Sequence, residues 1–131
     1  MQERFNLSSG TAFESTFGYS RLVRVGPHVA VAGTLGIHPD GTVPEGAYAQ
    51  ARAAFERIGA ALESAGSSFA DVVRTRMYVV DIQAHAQDVG RAHAEVFSDI
   101  RPVSSMIGAA ALIGPEFLVE IEIEALSDSH C

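Results

Sequence analysis

Apolar positions recur along this chain at two periods, and the switch between them lays out its elements. The clearest stretch is Leu118–Leu126, where Val119, Ile121 and Ile123 alternate strictly with Glu120, Glu122 and Glu124. Period two is that of a strand, with valine and isoleucines on one face and three glutamates on the other. Val72–Val80 alternates in the same way, placing Val73, Thr75, Met77 and Val79 on one face and Arg74, Arg76 and Tyr78 on the other. Arg4–Leu7 reads as a short first strand and Ser8–Thr11 as a turn. Leu22–Val25 and Val29–Ala32 are β-rich runs separated by Gly26-Pro27-His28, which suits a hairpin with a three-residue connection; Gly33 and Gly36 then break the second strand. Val103–Ala110 is a strand of small residues that follows the Arg101-Pro102 break.

Two segments carry the helical period instead. In Ala47–Ala65 the apolar positions Ala51, Phe55, Ile58 and Leu62 fall on one face, and Gly66 closes the helix. Asp81 is placed to cap a second helix running to about Asp99, with Val89, Ala92, His93, Val96 and Phe97 facing inward. The order of strands, helix, strand, helix, strands implies an α+β fold, a mixed sheet with two helices packed on one face.

Composition narrows the function more than the fold. The 131 residues, 47% of them hydrophobic, suit one domain spanning residues 1–131. A domain of this size buries only about two-thirds of its unfolded surface, so association with copies of itself is expected. The net charge of −7 repels phosphate backbones and anionic lipid, and neither nucleic acid nor membrane is expected as a partner. All 9 basic residues are arginine, which removes Schiff-base chemistry and a phosphate-loop lysine. Cys131 is the only cysteine, so no intrachain disulfide forms. Met1–Phe5 carries no basic stretch followed by an apolar core, and a cytoplasmic location is expected.

Candidate chemistry starts with the glutamate row. Such a row either solvates the outer face of a sheet or, if Arg74 and Arg76 neutralise part of it and a second subunit covers it, leaves one carboxylate in a cleft as a base on water. His28, His38, His85, His93 and His130 include no pair at the spacing that grips a metal on a helix, so no metal is expected. His93 lies beside the apolar stripe of the second helix, either as a pocket histidine or as one packed at the helix margin. Asp128-Ser129-His130-Cys131 sets nucleophile and base types side by side on what reads as a disordered tail. No dinucleotide fingerprint or nucleophile elbow is present.

Four segments taken together resemble the reactive intermediate deaminase family, also called RidA or YjgF-like. They are Phe17-Gly18-Tyr19-Ser20 followed by Val25-Gly26, Ala32-Gly33-Thr34, Arg101-Pro102-Val103-Ser104-Ser105, and Val119–Ala125. The resemblance spans nearly the whole chain and implies a chorismate-mutase-like fold assembled as a homotrimer with clefts between subunits. It further implies a small hydrolase that converts an imine, enamine or related C–N metabolite without metal or organic cofactor. Glu122 is implied as the residue that activates water, with Tyr19 and Gly33 lining the cleft; Ser104 and Ser105 of the third segment and, from the helical reading, His93 are further candidates on the substrate side. One element departs from the family pattern: where an arginine would grip the substrate carboxylate, two residues after Pro102, this chain has Ser104. A serine supplies neither charge nor a bidentate fork. That departure keeps a non-catalytic, metabolite-binding trimer of the same fold as an alternative, with ribonuclease action or translation inhibition a more remote one.

Overall fold

A computed structural model describes residues 3–128. Its strands are β1 (Arg4–Leu7), β2 (Leu22–Val25), β3 (His28–Leu35), β4 (Val72–Val80), β5 (Val103–Ala109) and β6 (Val119–Leu126). They form one six-stranded sheet in the order β1-β2-β3-β6-β4-β5. Every neighbouring pair is antiparallel except β4 and β5, so the sheet is mixed. The two long helices, α2 (Ala47–Ser64) and α3 (Ile82–Phe97), join the inward side chains of the strands in one core that includes Phe55, Ile58, Leu62, Val89, Phe97, Val31, Met77, Val79, Ile121 and Ile123. Val119, Ile121 and Ile123 are at most 2% exposed, as strict alternation requires of a strand that packs one face only.

Among the described residues there are three α-helices rather than two. α1 (Ala12–Phe17) follows the polar stretch after β1. Apolar period is silent about this helix because Glu14 is its single buried residue. The local signal is Thr11-Ala12-Phe13-Glu14, a capping-box spacing; Thr11 occupies the N-cap, but its hydroxyl donates to the Glu14 carboxylate and makes no capping bond to the backbone. Gly18 ends the helix at φ +79, a left-handed conformation open to glycine, with its amide bonded to the Glu14 carbonyl oxygen.

Two bulges break the simple alternation. In β4, Val72 pairs with Ala125 and Arg74 with the adjacent Glu124, so Val73 is an extra residue with no partner across the ladder. Val72 therefore takes the core position and Val73, expected there, is 42% exposed. In β3, Val31 pairs with Ile123 and Thr34 with Ile121, leaving Ala32 and Gly33 opposite the single residue Glu122. The strand thus continues through Gly33 to Leu35 rather than breaking there, and Thr34 is the buried residue. His28 pairs with Val25, which shortens the hairpin connection to Gly26-Pro27. Asp81 stands at the start of α3 but in a left-handed conformation (φ 51) with no side-chain capping bond, because the chain turns sharply out of β4 at that point.

Candidate active site

The bulge in β3, the start of β6, α1 and the middle of α2 surround a cavity of about 620 Å³. Its polar lining includes Glu14, Tyr19, Arg21, Arg57 and Glu120, with Ser9 and Thr11 at the start of α1. Its apolar lining includes Phe13, Leu35, Ile113 and Phe117. Gly33 is at the centre of the arrangement for a steric reason. A Cβ there would stand 2.7 Å from Glu120 Oε2, so only glycine leaves the carboxylate where it is.

α1 is held by its buried glutamate rather than by an apolar face. The Glu14 carboxylate accepts hydrogen bonds from Ser8 Oγ at 2.9 Å, the Ser9 amide at 3.1 Å and Thr11 Oγ1 at 3.2 Å, and from the Ser9 hydroxyl. Burial pushes its pKa upward, but the hydrogen bonds from Ser9, Ser8 and Thr11 outweigh burial and hold it below the ordinary value. The Glu14 carbonyl oxygen also accepts from the Gly18 and Tyr19 amides, so one residue fixes the loop before the helix and the tyrosine after it.

The three glutamates of β6 meet three different residues across the ladder to β4. Glu124 pairs with Arg74, Glu122 with Arg76 and Glu120 with Tyr78. Arg74 Nε lies 3.2 Å from Glu124, and Arg76 Nη1 lies 3.7 Å from Glu122. Tyr78 donates its hydroxyl to Glu122 rather than to Glu120, at 2.5 Å. This bond, followed by burial and the glutamate charge, raises the Tyr78 pKa. Glu120 is left half-buried, with no cation directly opposite. Burial raises its pKa, Arg21 opposes the rise and Glu122 adds to it. A carboxylate in that state can exchange a proton with water or substrate near neutral pH more readily than an ordinary surface glutamate.

Two arginines reach the same cavity. Arg21 donates from Nη2 to the Gly33 carbonyl oxygen at 2.8 Å, and its Nε is buried with no hydrogen-bond partner among the described residues. Arg57, on α2, donates from Nη1 to the Leu35 carbonyl oxygen at 2.7 Å. Burial, then the charge of Arg21, lowers the Arg57 pKa.

Residues 9–127 match the family model described as Endoribonuclease L-PSP. The chain belongs to this family. An uncharacterised protein of Streptomyces coelicolor is 37% identical to it over 123 residues, 91% of this chain and 89% of the other. A solved structure from Mycobacterium tuberculosis, described as a member of the YjgF/YER057c/UK114 family, superposes with a TM-score of 0.87 at 51% identity, covering 95% of this chain and 99% of that one. A rat protein named 2-iminobutanoate/2-iminopropanoate deaminase is 29% identical over 123 residues, 92% of this chain and 87% of its own. The RidA or YjgF-like membership implied by the sequence segments holds.

Within this family frame, the residues singled out from the sequence divide by location. Tyr19 and Gly33 line the cavity; Glu122, Ser104, Ser105 and His93 are not among its lining. His93 Nε2 lies 2.9 Å from Thr75 Oγ1, which donates to Ser104 Oγ at 2.7 Å. The imidazole packs 4.7 Å from the Phe97 ring and 6.0 Å from that of Phe55, and burial lowers its pKa. Ser104 is thus a partner of the buried Thr75, and Ser105 pairs with Arg76 across the parallel ladder. Arg24 serves as a brace, donating to the carbonyl oxygens of Gly26, Ala65 and Ser127. Glu120, Arg21 and Arg57 were not singled out. The register of β3 against β6 separates Glu120 from its neighbours, and no local pattern in sequence reports that register. Ser129, His130 and Cys131 lie outside the described residues, and among the described residues no three His, Cys, Asp or Glu side chains cluster to hold a metal. No helix among the described residues is long and apolar enough to cross a membrane.

Proposed function

We propose that this single domain is a hydrolase of the imine or enamine deaminase type, working without metal or organic cofactor, and that its chemistry is carried by Glu120. The supporting observation is the half-buried Glu120 carboxylate, raised in pKa by burial, set against Gly33 in a cavity that also holds Tyr19 and two arginines. In the reaction the ionised carboxylate takes a proton from water as the water oxygen attacks the C=N carbon. The acid then gives that proton to the nitrogen of the adduct, the regenerated carboxylate takes the hydroxyl proton as the C–N bond breaks, and an oxo compound and ammonia leave, the last proton passing to solvent. The rat relative's printed name supports this reaction class for the family fold. Phe13, Ile113 and Phe117 give the cavity an apolar wall.

The working assembly in this reading is a homotrimer of the chorismate-mutase-like kind. The two long helices pack on the core face of the sheet, and Val103 and Ile107, on the other face of the outermost strand β5, are 58% and 37% exposed. A second subunit over that face would also bury the Glu122 and Glu124 pairs. The proposed setting is the cytoplasm, with a small metabolite as the partner and no nucleic acid.

Ammonia release from enzymatically generated 2-iminobutanoate tests the reading. Glu120→Gln is expected to remove the acceleration while Glu122→Gln retains most of it. Loss in Glu122→Gln with Glu120→Gln unaffected would move the chemistry to the paired glutamate. A second reading, a trimer that binds a metabolite without turnover, draws on Ser104, which supplies no charge and faces Thr75. Ligand-dependent thermal stabilisation with no ammonia release from any imine would favour it.

A further inference from the structure

We propose that Arg21 and Arg57 form an anion subsite in this cavity that takes the carboxylate of a small organic acid, in place of the arginine that position 104 lacks. The inference deepens the hydrolase reading and rests on it only for the identity of the acid. Four observations carry it. Both guanidinium groups line one cavity although they come from β2's leading end and from α2, 36 positions apart by their numbers 57 and 21. Each spends one nitrogen on a backbone carbonyl oxygen, Gly33 for Arg21 and Leu35 for Arg57, which fixes its plane and leaves further N–H groups. Arg21 Nε is buried with no partner among the described residues, a donor that is costly to leave unmade. The remaining arginines that sequence alone offered are engaged elsewhere, Arg24 on three carbonyl oxygens and Arg76 on Glu122.

Charge selects the class of ligand. Arg21, Arg57, Glu14 and Glu120 are the Arg and Glu side chains of the lining, and their formal charges cancel when both glutamates are ionised. A protonated imine carrying one carboxylate has no net charge and suits that balance, with its anionic end on the arginines and its cationic end toward Glu120. A phosphate dianion would leave the cavity negative. The apolar lining from Leu35, Ile113 and Phe117 fits a short aliphatic or aromatic side chain on the acid. A guanidinium matches a carboxylate through two parallel hydrogen bonds, which a serine at position 104 cannot reproduce.

Calorimetric titration of the full chain with 2-oxobutanoate and with its uncharged amide tests the subsite without requiring turnover. Wild type is expected to bind the acid roughly 10-fold or more tighter than the amide, and Arg57→Gln to bring the two within about twofold by weakening the acid alone. Arg57→Lys, which keeps the charge but not the fork, falls between. Equal affinity for acid and amide in wild type, including no binding of either, overturns the proposal, and this arm needs no variant should Arg57→Gln fail to fold. Tighter binding of inorganic phosphate than of the acid also overturns it. Acid-selective binding that depends on Arg57 in a protein that releases no ammonia supports the subsite and sinks the hydrolase reading. Ammonia release with no preference for the acid does the opposite.

Discussion

The two ends of the outer glutamate row behave as different materials although they belong to one strand and one residue type. Toward the C-terminal end, Glu122 and Glu124 face Arg76 and Arg74 across the ladder and are neutralised by them. Toward the N-terminal end, Glu120 faces Tyr78, whose hydroxyl is committed to Glu122, and on its other side it meets the bare backbone of Gly33. Glu124 is exposed and Glu122 partly so, and ion pairs open to solvent contribute little. The remaining one is half-buried in a cavity, where burial costs the charged form and raises its pKa. A carboxylate's chemistry here follows from what stands across the ladder, not from its place in an alternating pattern.

The strongest way to break this contrast is to neutralise each glutamate in turn. Glu120→Gln is expected to lower ammonia release about 10²–10⁴-fold, the usual contribution of a positioned acid–base group, and Glu122→Gln by less than about tenfold. Comparable losses in both would erase the distinction. A second break removes the support of the Glu120 end. Gln50 is 2% exposed; it donates from Nε2 to the Pro44 and Glu116 carbonyl oxygens and accepts from the Leu118 amide just before β6. Gln50→Ala leaves those three backbone groups unsatisfied and should cost about 2–4 kcal/mol in chemical denaturation.

Gly33→Ala sharpens the contrast without removing a charge. The new methyl group would meet the flexible end of Glu120, so the carboxylate swings away while the fold gives little. Activity should fall about 10²-fold, the cost of roughly 1 Å of misplacement, with a melting temperature within a few degrees of wild type. A large stability loss with normal turnover would show that Glu120 is not held where catalysis needs it.

The pH dependence of stability tests the buried end. Because the folded-state pKa of Glu120 lies above the ordinary 4.5, folding holds an extra proton between the two values, and wild type loses stability as pH rises through that window. Glu120→Gln should therefore melt higher than wild type near neutral pH, with the difference vanishing below about pH 4, where both forms are neutral. A constant difference at all pH values would contradict the burial of the charge. The smallest effect belongs to the opposite end. Glu124→Gln breaks an ion pair whose side chains are 42% and 50% exposed, and should change stability by about 0–1 kcal/mol, less in high salt.

The alternation in Val72–Val80 and Leu118–Leu126 and the helical stripe of Ala51, Phe55, Ile58 and Leu62 were legible because each such element buries one face, and burial writes a period into the sequence. Val73 and α1 escape the pattern for the same reason taken in reverse. A bulge shifts the period by one residue, and a helix whose only buried residue is a glutamate writes no period at all. The family segments brought Tyr19 and Gly33 to attention, and the glutamate row was visible as a row. Which glutamate enters the cavity was decided by the β3 bulge and by the β4 ladder, and both are pairings between segments far apart in the chain. Arg21 and Arg57 belong to that second category. Nothing near either residue marks it, and only the meeting of α2 with the bulged strand brings both cations into the cavity that Glu120 lines. Local physics determined the elements and their faces from the sequence alone; the register between distant strands, which no local preference encodes, decided which side chains share the cavity.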